Sequence, residues 1–169
     1  MHQAEPRDIA STQTTLDSIT EGNIESRTLI LFTIGYERRT LQEFLEILKS
    51  KGVTRLVDVR EIAHSRKQGF SSSGLCQYLI ENEIEYMHFK ALGTPKAIRD
   101  EYKITRDFSE FTQKYLQYLD KNLEALNDLR VLAADKTTAI MCFERDYSQC
   151  HRGIIAMQLM KSGFTIENL

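Results

Sequence analysis

The stretch TLILFTIGYERRTLQEFLEILKSKGVTRLVDV, from Thr28 to Val59, decides the fold. It opens on Thr28-Leu29-Ile30-Leu31-Phe32-Thr33-Ile34, a continuous apolar and β-branched run of the kind that forms a strand buried on both faces. Gly35-Tyr36 ends the run. Thr40-Leu41-Gln42-Glu43 then has the spacing of a capping box, with Thr40 as N-cap and Glu43 reaching back from the third helical position. Leu41, Phe44, Leu45 and Leu48 fall on one helical stripe, and Gly52 closes it. Leu56-Val57-Asp58-Val59 is a second strand. Strand, helix and strand in so short a span predict a right-handed βαβ crossover with parallel strands.

Working outward, a polar connection from Glu61 to Ser73 carries His64, Ser65, Arg66 and Lys67. A helix is expected from about Ser73 to Asn82, then a short strand at Glu85 to Phe89. Leu92-Gly93-Thr94-Pro95 reads as a turn, with Pro95 opening a short helix through Tyr102. Phe108, Phe111, Tyr115, Leu116, Leu119, Leu123, Leu126 and Leu129 keep helical period for some six turns, which predicts one long helix, bent near Asp120. Thr138 to Phe143 is another buried strand, a helix covers about Gln149 to Ser162, and Phe164-Thr165-Ile166 is a last strand. The fold expected is α/β: a three-layer open sheet, mostly parallel, with helices on both faces. Residues 28–169 form that domain. Residues 1–27, rich in Ser, Thr, Gln, Asp and Glu with scattered Ile and Leu, bury too little apolar area to offset their ordering entropy and are expected to be a flexible arm.

The bulk numbers narrow the function classes. A chain of 169 residues suits one domain with its own core. The net charge of −2 provides no global field for nucleic acid or an anionic membrane, so any such contact needs a local patch. No apolar run approaches the roughly 18 residues of a membrane span, and the N-terminus shows no export signal. Three cysteines, an odd number, then read as reduced thiols of a cytoplasmic protein.

Chemistry is expected at the carboxyl ends of the strands, where open parallel sheets bind ligands. The first strand leads to Gly35 and Tyr36. The second leads to Asp58 and Arg60, on one face of the strand by period 2, and on to Ser65 and Arg66. Asp58 suits a base or orienting carboxylate, or equally a buried ion pair. The last leads to Cys142-Phe143-Glu144-Arg145-Asp146 and Cys150-His151-Arg152. There Asp146 or Ser148 is expected to cap a helix starting near Gln149. Cys150 and His151 would then stand in its first turn, where the helix terminus favours a thiolate, an anion and a neutral imidazole. Cys142 reads as a small buried hydrophobe.

No nucleotide-binding glycine loop and no hydrolase elbow are present. A phosphatase-type cysteine loop wants an arginine six positions on, where Cys142 is followed by Ser148. No CxxC or HxxxH pair exists and an adjacent Cys-His is poor metal geometry, so no metal site is expected and no cofactor is identified.

Taken in order, Thr33-Ile34-Gly35-Tyr36, Asp58-Val59-Arg60 with Ser65-Arg66 and Phe70, Leu92-Gly93-Thr94-Pro95 after Tyr86-Met87-His88, and Cys142-Phe143-Glu144-Arg145-Asp146 with Cys150-His151-Arg152 resemble the DUF488 family, small proteins of undefined function. The resemblance spans about residues 30 to 166. It implies an α/β fold with a pocket, and motif positions at Gly35, Asp58, Arg60, Ser65, Arg66, His88, Gly93, Cys142, Glu144, Cys150, His151 and Arg152. The chain departs from that pattern at Ile62-Ala63-His64, where members often have a proline. It departs again at Asn168-Leu169, where members often have a histidine.

The expectation is an enzyme acting on a small anionic or nucleotide-like ligand. Asp58, Glu144, His151 and Cys150 are its candidate catalytic groups, and Gly35, Tyr36, Arg60, Ser65, Arg66 and Arg152 contact the ligand. The rival is a nucleic-acid binding module using Arg38, Arg39, Arg60, Arg66, Lys67 and Arg145 as a basic patch.

Overall fold

The computed structural model describes residues 28–169; the expected N-terminal arm, residues 1–27, lies outside the described residues. The described residues form five strands and six α-helices, three of the helices following one another between the third and fourth strands. They are β1 (Ile30–Gly35), α1 (Leu41–Ser50), β2 (Arg55–Asp58), α2 (Ser72–Ile80), β3 (Glu85–His88), α3 (Lys96–Thr105), α4 (Phe108–Leu119), α5 (Leu123–Asp135), β4 (Thr138–Cys142), α6 (His151–Met160) and β5 (Thr165–Asn168). The sheet runs in the order β3-β2-β4-β1-β5 and every pair in it is parallel. This is the expected three-layer α/β fold.

Side chains alternate across the sheet with strand period. Phe32, Ile34, Leu56, Ala139 and Met141 pack on Phe44, Leu45 and Leu48 of α1 and on Leu75 and Leu79 of α2. Leu31, Val57, Ile140 and Cys142 face the other way, against Phe111, Tyr115 and Leu119 of α4, Leu129 and Ala133 of α5, and Ile154, Ile155 and Leu159 of α6. The chain leaves β1 across α1 toward β2 and β3, then leaves β4 across α6, on the opposite face, toward β5. Adjacent β1 and β4 therefore send their following loops to opposite faces. That divergence is the topological switch point at which such sheets hold ligands.

Two local expectations change. The helical period after Phe108 is split into α4 and α5, because Asn122 turns its side chain back onto the Tyr118 carbonyl (2.8 Å) and its backbone N–H onto Leu119 (2.8 Å), closing the first helix. The helix after β4 starts later than expected. Asp146 caps a short 3₁₀ turn, Tyr147–Gln149, by accepting from the Ser148 N–H at 2.9 Å, and the N-cap of α6 is Cys150 itself, in extended geometry. The Cys150 sulfur accepts the Arg152 N–H at 3.3 Å. No helix among the described residues is long and apolar enough to cross a membrane.

Candidate functional site

The loop after β4 lies directly across the end of β1. A Cβ on Gly35 would stand 1.8 Å from the Glu144 carbonyl oxygen, so only glycine lets the two backbones approach this closely. The loop is tied down by Glu37 N–H to the Phe143 carbonyl (2.9 Å) and by Arg145 N–H to the Glu37 carboxylate (3.2 Å). Beneath it, Arg152 is fully buried. Its guanidinium donates to the carbonyls of Ile34 (2.8 Å) and Glu144 (2.9 Å) and to the Cys142 sulfur (3.0 Å). Arg152 thus joins β1, the β4 loop and α6 from inside.

This scaffold gathers four side chains. One oxygen of Glu144, Oε2, accepts from Cys142 Sγ at 3.0 Å and from Cys150 Sγ at 3.2 Å, and the two sulfurs are 2.8 Å apart. His151 Nδ1 lies 3.6 Å from Cys150 Sγ, while its Nε2 is 2.8 Å from the Val59 carbonyl. A carbonyl only accepts, so Nε2 carries the proton and the Nδ1 lone pair faces the sulfurs. Adjacent Cys150 and His151 converge because the chain turns from extended backbone into helix between them. Spacing alone reads as poor geometry for joint action, and the N-cap bend overcomes it.

Electrostatics differ from the helix-terminus expectation at Cys150. Burial pushes its thiol well above the ordinary value, and the neighbouring Cys142 and Glu144 carboxylate push it further, overcoming the help from Arg152 and the capping N–H. Glu144 is held below the usual carboxylate value. Burial works against ionisation there, but the Cys142 thiol, its own backbone N–H, His151 and Cys150 outweigh it. His151 is lowered, chiefly by burial, so neutral imidazole is favoured as expected, though desolvation exceeds any helix dipole.

These four residues floor a cavity of about 470 Å³. Tyr36, Phe143, Tyr102 and Phe111 form aromatic walls. Arg60, Arg99, Lys103, Arg106 and His64 line it with cationic or titratable groups. Arg99 is anchored by Glu61 (2.7 Å) and the Thr94 carbonyl (3.0 Å). Arg106, the left-handed C-cap of α3 with φ 55°, is exposed, and its side chain bonds to no described residue. The α3 cations were missed in the sequence, although Arg99, Lys103 and Arg106 stand at i, i+4 and i+7, the spacing of one helix face.

Of the predicted residues, Tyr36, Arg60, Glu144, Cys150 and His151 line the cavity, while Gly35 and Arg152 support it from behind. Asp58 is fully buried, outside the lining. Its two oxygens take the backbone N–H (3.1 Å) and guanidinium (Nε, 2.8 Å) of Arg60 and the Tyr86 hydroxyl (2.7 Å). Held this way, Arg60 donates to the Tyr36 hydroxyl and the Phe70 carbonyl, both at 3.0 Å. Asp58 therefore positions Arg60, which positions Tyr36. Ser65 and Arg66 stay outside: Ser65 holds its loop through the Lys67 N–H (3.1 Å), and Arg66 is solvent-exposed. His88 Nε2 meets the Arg60 carbonyl at 2.8 Å, and a Cβ on Gly93 would stand 2.0 Å from the Glu61 nitrogen, so both brace the same loop.

A family model described as Domain of unknown function DUF488 matches residues 40–159, well over half of the chain. The chain belongs to the DUF488 family. No curated protein and no solved structure matches it significantly. The match covers three of the segments that shape the cavity of this DUF488 domain, the β2 loop, α3 and the Cys142–Arg152 loop, while Gly35 and Tyr36 at the end of β1 precede it.

Proposed function

We propose that this DUF488 domain is an enzyme whose cavity takes a small anion with a planar or apolar part. The anion lies against α3 and the reacting end against Cys150, Glu144 and His151. The observation that carries this reading is the junction of two unlike surfaces in one cavity at the switch point of the sheet. A floor of thiols, carboxylate and imidazole meets a wall with Arg99, Lys103 and Arg106. Arg99 is preorganised by Glu61 and Thr94, and Arg106 has no competing partner among the described residues. Tyr36 and Phe143, edge-to-face with centroids 5.3 Å apart, offer an apolar surface for the rest of the ligand.

The nucleic-acid reading draws less support. Of its six basic residues, Arg60 and Arg39 are buried and Lys67 donates to the Tyr36 carbonyl at 2.8 Å, which leaves few charges free for a phosphate backbone.

Calorimetric titration with inorganic phosphate and with a nucleoside monophosphate tests the proposal. Arg106→Asn removes the charge while keeping a residue that tolerates positive φ. One lost charge-assisted contact corresponds to at least about tenfold weaker binding. Affinity unchanged in Arg106→Asn, or no binding of either anion at millimolar concentration, overturns the anion site.

A further inference from the structure

We propose that Cys142, Glu144, Cys150 and His151 together bind a thiophilic divalent cation such as zinc at the cavity floor. The four donor atoms, two Sγ, one carboxylate oxygen and one imidazole nitrogen, all lie within 4.8 Å of one another. A tetrahedral site with bonds of about 2.3 Å to sulfur and about 2.0 Å to nitrogen or oxygen sets its ligand atoms about 3.3–3.8 Å apart, so small side-chain shifts suffice. Paired thiolates with imidazole select zinc-like metals over magnesium or calcium, which prefer oxygen.

The surroundings of the donors are those of metal ligands. His151 has its Nε2–H committed to the Val59 carbonyl at 2.8 Å, the arrangement that fixes the tautomer and aims Nδ1 at a metal. Each sulfur accepts from an N–H donor: Arg152 Nη1 for Cys142 at 3.0 Å and the Arg152 backbone N–H for Cys150 at 3.3 Å. Such donors stabilise thiolates, and the buried guanidinium offsets part of the negative charge that two thiolates and a carboxylate bring. As the metal–sulfur bonds form, each thiol gives its proton to solvent.

A disulfide is the competing account of two sulfurs 2.8 Å apart. It accounts for neither the Nδ1 lone pair nor the Glu144 oxygen converging on the same point.

The inference does not rest on the anion reading. The metal reports on the floor and Arg106 on the wall, so either can fail alone. With metal bound, the four residues act through the cation rather than as free acid–base groups.

The test is titration of the reduced full chain with cobalt(II), followed by zinc. Expected are one equivalent of cobalt bound, the strong visible bands of tetrahedral cobalt, a near-ultraviolet sulfur-to-cobalt band, and displacement by zinc. Cys142→Ser and Cys150→Ser should each weaken binding at least tenfold and dim the sulfur band. If those variants do not fold, X-ray absorption at the zinc edge of the wild type decides. Two sulfur scatterers at about 2.3 Å support the site, and a shell of nitrogen and oxygen alone overturns it. Absence of cobalt binding by the reduced chain, or a sulfur band of undiminished intensity in both serine variants, also overturns it.

Discussion

Replacing Gly35 by alanine tests how the end of β1 and the β4 loop build the site together. The new Cβ would meet the Glu144 carbonyl oxygen at 1.8 Å, the Glu144 carbonyl carbon at 2.5 Å and the Arg145 Cα at 2.9 Å, all backbone atoms. No rotamer change relieves that contact, and the carbonyl has to retreat from 1.8 Å to at least 3.0 Å. A displacement of that size breaks the Glu37 N–H to Phe143 bond (2.9 Å) and the Arg152 bond to the Glu144 carbonyl (2.9 Å). Overpacking of this kind costs about 1–3 kcal/mol, and each of the two bonds lost adds about 1 kcal/mol, for a total of about 3–5 kcal/mol. In a domain of this size that lowers the melting temperature by about 6–20 °C. Because Glu144 rides on the displaced carbonyl, the variant should also lose cobalt binding at temperatures where it remains folded. Urea unfolding and thermal melts measure the first effect. A melting temperature within about 2 °C of wild type would show that the loop does not depend on the missing Cβ.

Asp58→Asn should cost about 3–5 kcal/mol, because it leaves the buried Arg60 guanidinium without its counter-charge; denaturant titration checks this, and a loss under about 1 kcal/mol refutes the positioning role. Glu85 holds Lys136 (3.1 Å) and the buried Arg55 (3.0 Å), and the Lys136 contact, against burial and with Arg55, lowers its pKa. A lowered carboxylate stabilises the fold above its ordinary value of 4.5 and loses that contribution as pH falls through its folded value. Glu85→Gln should therefore be about 0.5–1 kcal/mol less stable at pH 7, with the gap closing only below about pH 4.5; a gap that persists unchanged at pH 2 contradicts the ion pair.

Much of the architecture was legible from Thr28 to Val59 because burial leaves a local mark. A strand covered on both faces must be apolar along its length, and a helix that starts without a partner for its first N–H groups needs a cap such as Thr40 with Glu43. Strand period likewise placed Asp58 and Arg60 side by side, and their bond is local, |i−j| being 2. The Cys142–Arg152 segment was legible as the densest group of reactive side chains in the chain.

What each residue in that segment does was decided by contacts far apart in sequence. Arg152 reads as an anion ligand in one dimension. Only the packing of α6 against β1 buries it and turns its Nη1 onto carbonyls of Ile34 and Glu144. A helix N-terminus by itself favours a thiolate at Cys150, and the tertiary structure reverses this by burying the sulfur beside Glu144. The convergence of Cys142, Glu144, Cys150 and His151 needed a chain bend at the N-cap and a carbonyl supplied by Val59, 92 positions away, neither of which spacing encodes. The cationic wall was written in α3 at helical spacing, but that it faces this floor follows from the packing of α3 on α4 and of α4 on α6. Residue type and period determine which elements form and which residues can react. Desolvation and through-space charge, which exist only after packing, decide which of those residues meet and in what state.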